Sequence, residues 1–126
     1  MGDEEINALT EKIIGCAYTV SNRLGAGFLE KVYENAMVVE LDKQGLVIDQ
    51  QKGVTVFYDG KAVGEYIADL IVQRLVIVEL KAVKNIDEVH QAQLMNYLRA
   101  CKKRAGLILN FGKPKIEIRR ILNGYD

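Results

Sequence analysis

The sequence predicts an α/β fold, a single domain over residues 1–126 in which a mixed β-sheet is flanked by helices in the order α-α-β-β-β-α-β-β. Three observations predict it. Two stretches with apolar residues three and four apart come first. Alternating and continuous apolar segments follow, and one more helical stretch separates the third of these from the last two. Tight turns join antiparallel neighbours, whereas a strand reached through a helix runs parallel to its predecessor, so the sheet is mixed.

Ile6, Leu9, Ile13, Ala17, Val20 and Leu24 form one stripe of a first helix over residues 3–24, with Asp3 as its expected N-cap. Gly25-Ala26-Gly27 interrupts the pattern. Leu29, Val32, Ala36 and Val39 then mark the apolar stripe of a second helix that stops at Gly45. From Leu46 the period changes to two: Val54, Val56 and Tyr58 alternate with Thr55 and Phe57, and Asp59-Gly60 signals a hairpin turn. A second strand returns over residues 62–72. Leu75-Val76-Ile77-Val78-Glu79-Leu80-Lys81 is nearly continuous in apolar character, which predicts a central strand buried on both faces. Asn85 with Glu88 reads as a capping box opening a helix over residues 87–101. Residues 106–110 and 115–121 are the last two strands, split by Gly112-Lys113-Pro114.

At 126 residues, 49% hydrophobic and 27% charged, the chain has material for one packed core. Apolar runs such as Leu75–Val78 are far shorter than the roughly 18 residues a membrane span needs. The acidic Met-Gly-Asp-Glu-Glu start lacks the features of a signal peptide, so a cytoplasmic protein without membrane contact is expected. Cys16 and Cys101 stand apart with no CxxC or Cys/His cluster, which excludes a structural zinc site and predicts two reduced core thiols. His90 is the single histidine and Ser21 the single serine, which argues against two-histidine nucleases and leaves a Ser-His pair only these two residues. No GxxxxGK[ST] segment is present, so P-loop hydrolysis is excluded. Residues 1–63 carry ten acids against six bases and residues 64–126 seven against eleven, an asymmetry compatible with an anionic ligand without requiring one.

Glu79 and Lys81 lie two apart on an apolar strand and therefore share a face. Alone, E-x-K reads as a salt-bridged strand end. Asp69, in the preceding strand, changes that: the short connection after Val72 brings it beside Val76–Glu79. Two carboxylates in a partly buried place repel one another unless one takes a proton or both hold a cation. Hard oxygen donors with water completing the shell suit Mg²⁺ or Mn²⁺. A nearby lysine can orient water or stabilise charge on a phosphate. An Asp, about ten residues, then Glu-x-Lys on adjacent strands is the PD-(D/E)XK nuclease pattern. Glu30, in the first turn of the second helix, shares a face with Tyr33, and by itself reads as a helix-dipole acid. Gln93 and Tyr97 share a face of the third helix, where Gln93 borders apolar positions and needs a polar partner. His90 reads as a surface residue of that helix.

The segment Leu24-Gly25-Ala26-Gly27-Phe28-Leu29-Glu30-Lys31-Val32-Tyr33 resembles the signature of the GxxExxY protein family. The likeness continues through Asp69-Leu70, Val78-Glu79-Leu80-Lys81-Ala82-Val83, Gln93-Leu94-x-x-Tyr97-Leu98, Leu109-Asn110-Phe111-Gly112 and Arg119-Arg120, about residues 13–121 in the family's order. The resemblance implies membership of the PD-(D/E)XK superfamily, with its restriction-endonuclease-like αβββαβ core. It implies Asp69 and Glu79 as metal ligands, Lys81 as the catalytic lysine and Glu30 as an extra helical acid. Gln93 and Tyr97 resemble the QxxxY element of RecB-like nucleases.

The expectation is thus a Mg²⁺- or Mn²⁺-dependent phosphodiesterase acting on nucleic acid, with the Leu80 carbonyl as a further ligand. Lys84, Lys102, Lys103, Arg119 and Arg120 are the expected phosphate-backbone contacts, and a homodimer or protein partner is compatible with so small a domain. The alternative is a non-catalytic nucleic-acid-binding or protein-interaction domain that keeps the fold.

Overall fold

The computed structural model describes residues 2–124; Met1, which opens the acidic N-terminal run, and the last two residues of the expected 1–126 domain lie outside it. The chain forms α1 (Asp3–Leu24), α2 (Glu30–Lys43), β1 (Ile48–Tyr58), β2 (Lys61–Val72), β3 (Val76–Lys81), α3 (Glu88–Cys101), β4 (Ala105–Asn110) and β5 (Glu117–Leu122). The five strands make one sheet in sequence order. All neighbours are antiparallel except β3 and β4, which run parallel because α3 carries the chain back across the sheet. Two hairpin turns have left-handed backbone at both central residues, Asp59-Gly60 (φ 53° and 76°) and Gln73-Arg74 (φ 54° and 57°). That geometry matches the twist of the flanking strands. Asp-Gly announces the first turn; Gln-Arg gives no such signal for the second.

The sheet carries an apolar layer on each face. Val76, Val78 and Leu80 of β3 pack with α1 and α2, while Ile77 packs with Leu94 and Leu98 of α3. The central strand is therefore buried on both sides, as its continuous run predicts. The α1 stripe from Ile6 to Val20 is buried as expected. In α2 the expected stripe is corrected: Tyr33, Met37 and Leu41 are inside, whereas Leu29 is 80% and Val39 55% exposed. Both sets are spaced for a helix, so periodicity does not choose between them. The larger side chains Tyr33, Met37 and Leu41 fill the layer against α1 and the sheet, which turns Glu34 to β1, where Gln50 and Gln51 donate hydrogen bonds to it.

Both expected helix caps shift. Gly2, not Asp3, is the N-cap of α1, and the Asp3 carboxylate instead pairs with Arg104 Nε at 3.2 Å. The box at α3 is built by Asp87 and His90 rather than Asn85 and Glu88. Asp87 Oδ1 accepts from the His90 N–H at 3.1 Å, and His90 Nδ1 accepts from the Asp87 N–H at 3.2 Å. Both cysteines are free, Cys16 buried and Cys101 half-buried. No helix among the described residues is long and apolar enough to cross a membrane.

One irregularity positions the site. Leu70 and Val72 of β2 belong to the α1/α2 layer, but Ala68 belongs to the α3 layer, so the two-residue alternation breaks at Asp69. The β2–β3 ladder ends at the Leu70–Val78 pair. On the other side the β1–β2 register passes from Gln50–Leu70 to Lys52–Ala68, and Gln51 between them sits at φ 54°. Beyond this point the β1–β2 hairpin leaves β3 and packs Val54 into the α3 layer.

Candidate active site

Where β2 parts from β3, backbone groups lose ladder partners and side chains take their place. The Leu80 N–H donates to Asp69 Oδ2 at 2.9 Å, and the Asp69 N–H donates to Glu79 Oε1 at 3.4 Å. The N–H and C=O of one strand residue leave along the same edge, so the Leu80 carbonyl faces the same gap. The structure thus brings Asp69, Glu79 and Leu80 together, and Lys81 shares the Glu79 face at the strand's end.

Burial dominates the electrostatics. It pushes the Glu79 carboxyl up to about 7, against the opposing pull of the Asp69 N–H and the Lys81 ammonium, with Glu30 and Glu34 pushing further upward. Asp69 is also raised by burial, partly offset by the Leu80 N–H. Glu30, the first residue of α2, is raised by its own burial and by Asp69, and lowered by Lys81 and the Ala82 N–H. Its neighbours show where it sits: the expected helical acid reaches the end of β3. Four carboxylates, Asp69, Glu79, Glu30 and Glu34, and the Lys81 ammonium therefore share a field.

Gln93 and Tyr97 line a small cavity of about 80 Å³ with Tyr66, Glu79, Lys81 and His90. The Tyr97 ring stacks on Tyr66 within 10° of parallel, and the Tyr66 hydroxyl donates to Glu79 Oε1. Tyr97 acts on the carboxylate through Tyr66. His90 is corrected from an ordinary surface residue to a wall of this cavity, half-buried with its ring fixed by the α3 cap. Spacing could have found it, because residues 90, 93 and 97 share one helix face.

Four more participants escaped the sequence reading: Tyr66, Glu34, Gln50 and Gln51. Buried Glu34 accepts from Lys31 at 2.9 Å, and from both glutamines. Burial would raise its carboxyl, but these hydrogen bonds outweigh it and hold the group below its ordinary value. Gln51 Nε2 also donates to Asp69 Oδ1 at 3.3 Å. Non-glycine residues rarely adopt positive φ inside a strand, and here that backbone aims the carboxamide between two acids. No local sequence signal marks it.

The expected phosphate contacts scatter. Exposed Lys84 follows β3 at the site's end of the sheet. Lys102 and Lys103 lie past the C-terminal end of α3, next to the start of β4. The start of β4 is level with Val76, about 17 Å down the strand from Lys81. Arg120 donates to Asn7 and Thr10 on the α1 face, and Arg119 pairs with Glu117 at 3.1 Å on edge strand β5. The course of α3 leaves Lys102 and Lys103 at the opposite end of the sheet, and Arg119 and Arg120 stand two strands from β3, Arg119 level with Glu79 across Ile108.

The donor set fits a divalent cation. Among the described residues no group of three or more His, Cys, Asp or Glu side chains is gathered around one point. Asp69, Glu79 and the Leu80 carbonyl offer two hard carboxylates and one neutral oxygen. Mg²⁺ is commonly held by one or two carboxylates, with water and substrate phosphate completing its shell.

The fold and site define a class: α/β domains with an acid on one strand and Glu-x-Lys on its antiparallel neighbour. A family model described as the PD-(D/E)XK nuclease superfamily matches residues 7–121, and the chain belongs to that superfamily. Its nucleases generally use divalent metals. A crystal structure of SSO0001 is similar in fold, with a TM-score of 0.58 at 16% identity, covering 77% of this chain. This chain spans about half of that one, 52% of its length. A search of curated proteins finds no match.

Proposed function

We propose that the chain is a metal-dependent phosphodiesterase acting on nucleic acid, with Asp69, Glu79 and the Leu80 carbonyl holding Mg²⁺ or Mn²⁺. The observation that carries this reading is the break at Asp69, which exposes two carboxylates and a carbonyl to one gap beside Lys81. A divalent ion there would supply Lewis-acid charge to a phosphate. The Lys81 ammonium neutralises negative charge building on the phosphoryl oxygens and holds the attacking water by hydrogen bonding. Glu30, raised by burial, accepts a proton from that water or orients it. Gln93 presents its carboxamide at the cavity wall to position water or the lysine. Tyr66 fixes one oxygen of Glu79 and leaves the other directed elsewhere. Lys84 contacts the phosphate backbone at this end.

The test is calorimetric titration of Mn²⁺ into the wild type and Asp69→Asn, with thermal unfolding of both. Saturable binding in the wild type, lost in a folded variant, supports the reading. Equal or absent binding at millimolar Mn²⁺ overturns it in favour of a non-catalytic binding domain. With the site established, Lys81→Ala is expected to lower cleavage of a nucleic-acid substrate by about 10²–10³-fold while leaving Mn²⁺ binding in place.

A further inference from the structure

A cleft of about 430 Å³ separates the β1–β2 hairpin from the C-terminal end of α3, with Asp49, Lys52, Phe57, Arg74, Cys101 and Lys103 among its walls. We propose that this cleft binds an unpaired stretch of a nucleic-acid strand, with Phe57 stacking on a base and Lys52, Arg74 and Lys103 contacting phosphates. The proposal rests on the nucleic-acid reading of the site above and names its substrate class as single-stranded.

Three observations carry it. Three cations meet one acid, Asp49, so the cleft favours an anion. Arg74 and Lys103 also line a second cavity of about 510 Å³ that includes Lys102, Arg104 and Asp3, which extends the cationic surface past them. Two of the cations are tied together: Lys103 Nζ donates to the Arg74 carbonyl at 2.8 Å, and the Arg74 backbone belongs to the tight β2–β3 turn. Phe57, 65% exposed, offers a ring beside these charges. Cations along a groove with an exposed aromatic are the pattern of single-strand binding, because in a duplex the base faces are covered by stacked neighbours. A duplex would use the charges alone.

The cleft and the carboxylates share one side of the sheet. Val54, in the cleft wall, is the cross-strand partner of Tyr66, in the wall of the catalytic cavity. Along α3, Gln93 and Cys101 are about 12 Å apart at 1.5 Å per residue. A strand stacked at about 3.4 Å per nucleotide spans that distance in roughly four nucleotides.

The experiment measures fluorescence anisotropy of the full chain in EDTA. The probes are a labelled single-stranded DNA of about 12 nucleotides, within the span of single-strand sites, and the same strand in a duplex. The wild type should prefer the single strand. Phe57→Ala should weaken single-strand binding by about 5- to 100-fold, the range of one lost base stack, with little effect on duplex. Arg74→Glu should weaken both and reduce the salt slope by about one. Both positions are exposed, and circular dichroism melts verify folding. Absence of single-strand binding, preference for duplex, or wild-type affinity in Phe57→Ala overturns the proposal. A strand that binds through Phe57 but is not cut with Mn²⁺, in a protein whose Asp69→Asn variant binds Mn²⁺ equally, overturns the phosphodiesterase reading alone.

Discussion

Asn110 shows how much of the site's geometry is held by residues outside it. Fully buried, it fills four hydrogen-bonding positions. Oδ1 accepts from the Val83 and Gly112 N–H groups, both at 3.0 Å, and Nδ2 donates to the Val83 carbonyl at 3.0 Å and Glu117 Oε1 at 3.1 Å. Glu117 in turn accepts from the Ile86 N–H at 2.9 Å. These bonds fasten the chain just after Lys81. Gly112 completes the fastening, since a Cβ there would lie 2.4 Å from the Val83 carbonyl oxygen. Asn110→Ala strands several of these groups and should cost about 2–4 kcal/mol. Urea denaturation should show a lower midpoint at an unchanged m-value. The Asn-Phe-Gly segment is a lock on the end of β3.

At the scale of elements, the connection between α1 and α2 places Glu30. Gly25 and Gly27 take positive φ of 70° and 113°, which glycine adopts without strain. Tyr33 then clamps the loop: its hydroxyl donates to the Gly25 carbonyl at 2.6 Å and accepts from the Phe28 N–H at 3.1 Å. Its ring stacks on Phe111, with centroids 4.7 Å apart, and the Phe111 N–H donates to the Lys81 carbonyl at 2.8 Å. The Glu-x-x-Tyr spacing therefore couples α2 to the end of β3. Tyr33→Phe keeps the ring and removes the clamp. It should lower stability by about 1–3 kcal/mol in thermal melts. Protection of the Phe28 amide against hydrogen exchange should fall as well.

For the molecule as a whole, the acids held above their ordinary values, Glu79 foremost, make stability depend on pH in an uncommon direction. Burial pushes the Glu79 carboxyl up to about 7, above its ordinary value. Between those two values the native state binds more protons than the unfolded one, so stability falls as pH rises. Melting in EDTA should drop from pH 5 to pH 8, and Glu79→Gln should flatten that slope and gain about 2–3 kcal/mol at pH 8. A divalent cation in excess should restore the wild type at pH 8 by mass action and leave Asp69→Asn unmoved. A wild-type melt that rises across this range would contradict the burial of Glu79.

What the sequence determined by itself was whatever local spacing encodes. Periods of 3.6 and two located eight elements in order, because side chains alternate at fixed intervals along a helix or strand. The continuous run at Leu75–Val78 identified the central strand. Glu-x-Lys on it, with Asp69 a short turn away, named the carboxylates that the structure brings together. Tertiary structure alone decided what depends on departures from those intervals. The break at Asp69 and the positive φ of Gln51 draw Tyr66, Glu34 and Gln51 to the acids, and no period announces either. The inward stripe of α2 was equally hidden, since two stripes fit one helix and packing of Tyr33, Met37 and Leu41 into the core selected between them. The basic residues look contiguous in the second half of the chain, yet a strand of six residues is about 17–20 Å long and separates one end of the sheet from the other. Chemistry is written in residue types, but convergence is a property of where the backbone bends.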